Sequence, residues 1–225
     1  MMSPWDIGAA TARAGPPLRG RERELALVAA VLADGETRVL VAQGPAGVGK
    51  TALLREALDL ARADGALVGA GKYAERQGGT GLEPIVAALD EALAAGLDRL
   101  FDPRAGKDDL TRRLGSNGDV LIALGSQVLR PTDPHAAGRP LLASEADERV
   151  VIALLQCMRW LESFEVPVLL LIDDWGRASN QAQGVYRRIA AEPALRRTRL
   201  LATQRPDEAM AGAFAPGAAR IIEVG

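Results

Sequence analysis

The stretch "AQGPAGVGKT", residues 42–51, decides the fold. It matches the spacing G-x-x-x-x-G-K-[ST], with Gly44, Gly49, Lys50 and Thr51 at the fixed positions and Pro45, Ala46, Gly47 and Val48 between them. The spacing has a physical cause. Successive backbone N–H groups must turn inward to surround a phosphate, which calls for unusual φ angles and close approach, hence glycine. The helix expected after Gly49 aims its free N–H groups and positive dipole end at the same anion. Lys50 can reach the terminal phosphates, and the Thr51 hydroxyl can ligate Mg²⁺. A chance match is expected only about 0.002 times in a chain of this composition. Residues 44–51 are therefore read as a nucleotide-phosphate loop.

The flanks supply the context that this chemistry requires. "TRVLVAQ" (37–43) is a short aliphatic strand, and "KTALLREALDLARADG" an amphipathic helix closed by Gly65. Upstream, residues 1–19 hold Pro16 and Pro17 without periodicity and are expected to form a loose arm. A helix is expected over about 21–34, with Leu25, Val28 and Leu32 on one stripe. Downstream, "ALVGAGKY" (66–73) is a second buried strand, "ERQGGTGLEP" a loop and "EPIVAALDEALAAG" a helix. Residues 98 to about 130 read as helical pieces broken near "GSNGD", followed by a proline-rich connector at 130–140. A long helix is expected from Ser144, where "SEAD" offers a capping pattern, to about Ser163.

"VPVLLLIDD" (166–174) is a fully apolar strand that ends in two carboxylates. A helix near 179–190 and the strands "RLLATQ" (199–204) and "RIIEV" (220–224) complete the chain. Strands alternating with helices, each strand apolar on both faces, predict an α/β fold: a parallel five-stranded sheet sandwiched by helices. The long interval between the second and third strands predicts a helical insertion at about 82–162 within a core domain of 20–225.

In a parallel sheet the carboxyl ends of all strands share one edge, so the acidic strand end can meet Lys50. Asp173 is then the candidate Mg²⁺ partner, directly or through water, and Asp174 the candidate base or water-positioning group. The alternative is an Asp-Asp helix cap after an ordinary core strand. The strand "LLATQRPDE" ends in Thr203, Gln204 and Arg205. Arg205 or Thr203 could sense the γ-phosphate; the plainer alternative is a solvated loop arginine.

Composition narrows the function classes. The chain has 225 residues, enough for one large domain, and its hydrophobic share of 48% supports a sizeable core. Aromatic residues make up only 4%, so that core must be mostly aliphatic. A formal net charge of −2 gives no general attraction to nucleic acid or an anionic membrane. Lysine occurs only at 50, 72 and 107 in an arginine-dominated chain. The single cysteine, Cys157, excludes an internal disulfide framework and is expected in the core. His135 is expected at the surface; Arg187, Arg188, Arg196, Arg197 and Arg199 could form a basic patch but are expected as solvated helix and turn ends in a net-acidic chain. The first residues lack the pattern of a secretory signal. The apolar run at 166–172 is too short to span a bilayer. A cytoplasmic location without membrane contact is expected.

The ordered set "RGRERELALV", "VLVAQGPAGVGKTALLREAL", "LLLIDD" and "LLATQRPDE" resembles the AAA-type signalling ATPases often called STAND NTPases. More narrowly, it is similar to the ATPase modules of large bacterial sensor kinases, serine/threonine-kinase hybrids and LuxR-type regulators. The resemblance covers about residues 18–224. It implies ATP/ADP binding with Mg²⁺, a nucleotide-dependent switch, and sensor or output domains, or neighbouring subunits, as partners. It also implies that "GRERE" lies near the adenine, which adds Gly20 and Arg21 as site candidates, and that Arg205 senses phosphate. Two departures stand out. The family usually has a hydrophobic and aromatic segment after the acidic pair, where this chain has "WGRASN". Family members also usually continue into a helical lid or winged helix after the last strand, so the chain is expected to be a fragment or reduced member with slow turnover. The competing expectations are a small-molecule phosphotransferase, a nucleic-acid-dependent ATPase, and a scaffold that binds nucleotide for stability alone.

Overall fold

The computed structural model describes residues 20–73, 80–131, 146–207, 214 and 218–225. The N-terminal arm, the "SEAD" start at Ser144 and His135 in the connector lie outside the described residues. In chain order the elements are α1 (Glu22–Ala33), β1 (Val39–Gln43), α2 (Lys50–Ala63), β2 (Leu67–Lys72), α3 (Glu83–Leu97), α4 (Pro103–Leu114) and α5 (Gly118–Ala123). Then follow α6 (Ala146–Glu162), β3 (Val168–Asp173), α7 (Asn180–Ala190), β4 (Thr198–Gln204) and β5 (Ala219–Glu223).

The five strands form one sheet in the order β2-β3-β4-β1-β5, and every neighbouring pair is parallel. Period-two alternation then divides the apolar residues between two faces. Leu40, Ala42, Leu169, Leu171 and Leu201 pack with α1 and α2 side chains such as Val28, Leu53, Leu54 and Leu58. Val39, Val41, Leu170, Ile172, Leu200 and Ala202 pack on the opposite face with residues of α3, α6 and α7. The result is the expected three-layer α/β arrangement. Cys157 is fully buried there, and burial pushes its thiol up.

Helices α3 to α6 all lie between β2 and β3 in the chain. Their anchor is the contact of α3 with β2, which depends on two glycines. A Cβ at Gly69 would come 1.8 Å from the Ala88 carbonyl oxygen, and one at Gly71 would come 1.9 Å from that of Pro84. Any side chain at either position would force helix and strand apart. The α3 carboxylate of Asp90 accepts from Ser126 Oγ (2.5 Å) and the Gln127 N–H, pinning the segment after α5. Farther along, α4 has a sharp start: Asp102 accepts from the N–H groups of Arg104 and Ala105, with Pro103 in the first turn.

Two expectations are corrected. The last strand is not apolar on both faces: β5 is an edge strand, and Arg220, Ile221 and Glu223 are exposed. Among the described residues its one strand neighbour is β1. Nor is Arg199 a solvated end. It is 2% exposed, because β4 starts deep in the sheet, and its guanidinium donates to the carbonyls of Arg196 and Thr198 at 2.9 and 3.1 Å. Arg187, Arg188, Arg196 and Arg197 lie at a helix end or in the turn before β4.

Candidate functional site

The strand order sets the site. β1 lies between β4 and β5, while β2 is separated from it by both β4 and β3. This departure from sequential pairing creates a switch point at the carboxyl edge, where α/β sheets bind ligands. The loop 44–49 occupies that edge directly after β1. Gly47 and Gly49 have φ of 78° and 101°, left-handed values that a side chain would oppose. Gly44 is needed for space: a Cβ there would lie 2.3 Å from the Val224 carbonyl oxygen at the end of β5. α2 begins at Lys50, so its unpaired first-turn N–H groups open onto the loop.

Lys50 is nearly buried, and its Nζ donates to the carbonyls of Gly44 and Pro45, both at 2.8 Å. The ammonium is thereby folded back over the loop that it serves. One residue on, Thr51 Oγ1 donates to Asp173 Oδ1 at 2.7 Å, joining two motifs 122 positions apart. The same Oδ1 accepts from Thr203 Oγ1 at 2.6 Å. Thr203 reaches it because β4 runs between β1 and β3. Its hydroxyl also accepts the Asp174 N–H at 2.9 Å, so one threonine holds both members of the acidic pair.

Asp173 is 1% exposed, and burial pushes its carboxyl upward. Hydrogen bonds from Thr203, Thr51 and Lys72, with the Lys72 charge, outweigh that and hold it below its ordinary value. The group is therefore a carboxylate at neutral pH. Lys72, at the end of β2, was absent from the sequence expectations. Its Nζ lies 3.0 Å from Asp173 Oδ2 and 3.2 Å from Asp174 Oδ2. The only sequence signal was its place at a strand end in a chain with three lysines.

Asp174 leaves the strand with φ 55° and ψ 46°, a left-handed conformation uncommon for a residue with a side chain. That turn separates its carboxylate from the strand direction and leaves it more open than Asp173, at 37% against 2% side-chain exposure. The following Trp175 is buried rather than displayed. Its ring stands edge-on to Tyr73 (6.3 Å between centroids) and is tilted against Tyr186 (4.2 Å). The aromatic packing here joins Tyr73 after β2, Trp175 after β3 and Tyr186 on α7.

Arg21 and Gly20 lie beside the loop at the start of α1. Arg21 donates to the Val48 carbonyl at 2.9 Å and to the Gly225 carbonyl and Glu24 at 2.5 Å each. The Gly20 N–H donates to Glu22 Oε1 at 3.1 Å. "GRERE" thus opens α1 without a side-chain cap and braces the loop that follows β1 through Arg21. Arg205 follows β4 at once and is exposed at the same edge of the sheet.

The donor set suits a small hard cation. Thr51 Oγ1 and Asp173 Oδ1 are two hard oxygens in contact. No three His, Cys, Asp or Glu groups form a metal cage among the described residues. Mg²⁺ needs none, since it is usually held by one or two protein oxygens together with substrate phosphates and water. No helix among the described residues is long and apolar enough to cross a membrane.

Comparison with known proteins agrees with this geometry. No curated protein sequence matches the chain. Among solved structures, Cdc6p from Pyrobaculum aerophilum is similar with a TM-score of 0.50 at 16% identity, over 95% of this chain and 47% of that one. The chain thus spans about half the length of that protein, and at this identity the likeness concerns the fold alone. A family profile described as AAA ATPase domain matches residues 17–202, from before α1 to the middle of β4. By that match the chain belongs to the AAA ATPase domain family.

Proposed function

We propose that this chain is the nucleotide-switch module of a bacterial signal-transduction or transcription-regulatory protein, binding ATP or ADP with Mg²⁺ and hydrolysing ATP slowly. The observation that carries the reading is the Thr51–Asp173 hydrogen bond, which brings the phosphate loop and the acidic strand end into one site.

In this reading the backbone N–H groups of Gly44 and residues 46–51, with the first turn of α2, bind the β- and γ-phosphates. Lys50 exchanges its two neutral carbonyl partners for anionic phosphate oxygens, a gain because donor and acceptor are then both charged. Thr51 and Asp173 would hold Mg²⁺, which when bound neutralises charge on the transferring phosphoryl group. Thr203 keeps the acidic pair in register through its two hydrogen bonds. Asp174, the more open carboxylate, orients a water and accepts its proton. Arg205 senses the γ-phosphate, and Arg21 with Gly20 borders the adenine while bracing Val48. Sensor or output domains, or neighbouring subunits, read the resulting change, and the module works in the cytoplasm.

The test is equilibrium binding of fluorescent ATP and ADP analogues to the purified chain, with Lys50→Ala alongside. Saturable binding weakened about 10- to 100-fold by Lys50→Ala is expected, the range for losing charged hydrogen bonds. A chain that binds neither nucleotide, or binds equally well without Lys50, would end the proposal. Phosphate transfer to a small acceptor with little hydrolysis alone would point to a phosphotransferase instead.

A further inference from the structure

Lys72 closes β2, and the parallel register sets it directly opposite Asp173, the residue that closes β3. Its single ammonium contacts Asp173 Oδ2 at 3.0 Å and Asp174 Oδ2 at 3.2 Å, bridging the acidic pair. The two sides of this bridge differ. The Asp173 side chain is 2% exposed and pays heavily for losing every charged partner, whereas that of Lys72 is 55% exposed and can return to water. Behind Lys72, Gly71 presses against the Pro84 carbonyl, so the strand end cannot drift while the four-carbon side chain can.

We infer that Lys72 is a positioning residue that serves as the removable counter-cation of the acidic pair, making metal binding at Thr51 and Asp173 conditional on nucleotide. The inference rests on the nucleotide reading above. The physical argument is charge balance. A divalent cation approaching Asp173 alone meets the ammonium already on Oδ2. A doubly charged ion about 5 Å from a fixed unit charge in a water-like dielectric is repelled enough to weaken binding about tenfold. The phosphates of a nucleotide add several negative charges to the same site, and one ammonium no longer decides the balance. Lys72 then turns outward or toward the phosphates, and Asp173 Oδ2 is released. The site is thereby guarded against holding a metal without its nucleotide.

The test uses Mn²⁺ alone, titrated into the nucleotide-free full chain and followed by the spin-resonance signal of the free ion. Lys72→Met is expected to bind Mn²⁺ about tenfold more tightly than wild type, by the same repulsion argument. Lys72→Arg should behave as wild type. Lys72→Gln retains a donor for Asp173 without the charge; it should show the same gain and serves if the methionine variant does not fold. Adding Asp173→Asn to Lys72→Gln should abolish the gain, which locates the ion. ATP should raise Mn²⁺ affinity more in wild type than in either neutral variant. Unchanged or weaker Mn²⁺ binding in the neutral variants, or a gain that survives Asp173→Asn, overturns the inference. ATP binding by the same wild-type sample separates the two ideas. A chain that binds ATP but shows no gain loses only the Lys72 role, whereas one that never binds ATP loses the nucleotide reading.

Discussion

Two buried charges lie at opposite edges of the sheet on adjacent strands, and they are stabilised in different ways. Asp173 ends β3 at the carboxyl edge, held by two hydroxyls and a half-exposed ammonium. Arg199 sits near the start of β4 at the amino edge, donating to backbone carbonyls of its own neighbourhood. Burial pushes the Arg199 guanidinium downward, and the charge of Arg38 adds to that, against Asp34 and Glu162. Beside it, the Glu162 carboxylate accepts the Arg197 N–H at 2.9 Å and the Thr198 hydroxyl at 2.7 Å, tying α6 to the start of β4. Thr51, Thr203 and Lys72 hold Asp173 through side chains that can rotate away, whereas the two carbonyls that accept from the Arg199 guanidinium are main chain and cannot. In the nucleotide reading proposed above, the carboxyl edge exchanges ligands while the amino edge holds strands in register.

Four measurements would break or sharpen this contrast. The largest effect is expected from Asp173→Asn, which preserves the hydroxyl contacts but removes the charge. ATP turnover should fall about 100-fold or more, the scale for losing metal-assisted charge stabilisation, while the chain stays folded. Near-normal turnover would sink the assignment of Asp173 to the site's chemistry.

Gly71→Ala attacks the support of the carboxyl edge instead of its chemistry. The added methyl would sit 1.9 Å from the Pro84 carbonyl oxygen, and overpacking of this kind costs about 3 kcal/mol. Urea unfolding measures it; a stability like that of wild type would mean that α3 is less tightly seated than the structure shows. Arg199→Met, at the other edge, should cost about 2 kcal/mol through its lost carbonyl contacts. Nucleotide affinity should not change. If this variant weakened ATP binding as much as Lys50→Ala does, the division between the two edges would fail.

The smallest effect concerns pH at the amino edge. Burial raises the Asp34 carboxyl, but hydrogen bonds from the Thr37 hydroxyl and the N–H groups of Thr37 and Glu36 outweigh it and leave it lowered. A carboxyl depressed by folding contributes stability that is present at neutral pH and is lost as pH falls through its folded value. Asp34→Asn should therefore be less stable than wild type at pH 7 and should flatten the decline in stability between about pH 5 and pH 3. Parallel stability curves for the two chains would contradict the Asp34 assignment.

Much of this was legible in the residues themselves. Gly44, Gly49, Lys50 and Thr51 stand at spacings that backbone geometry imposes on a phosphate loop, and a strand as apolar as "VLLLI" fits only a sheet covered on both sides. Local boundaries followed for the same reason: β2 was expected at 66–73 and runs Leu67–Lys72, and the break near "GSNGD" falls between α4 and α5. The misses share another cause. β5 was expected, like every strand, to be apolar on both faces, yet only strand order decides which strand lies at an edge. Arg199 was expected in water because arginine usually is, but its position along β4 placed it inside.

Sequence by itself determined the chemistry available at each strand end, because motif spacing and alternation act over a few residues. Only the tertiary structure decided which strand ends meet. Inserting β4 between β1 and β3 put the Thr203 hydroxyl on both Asp173 and Asp174, and the register of β2 on β3 set Lys72 opposite Asp173. Those pairings depend on packing between segments up to 161 residues apart, which no local pattern encodes.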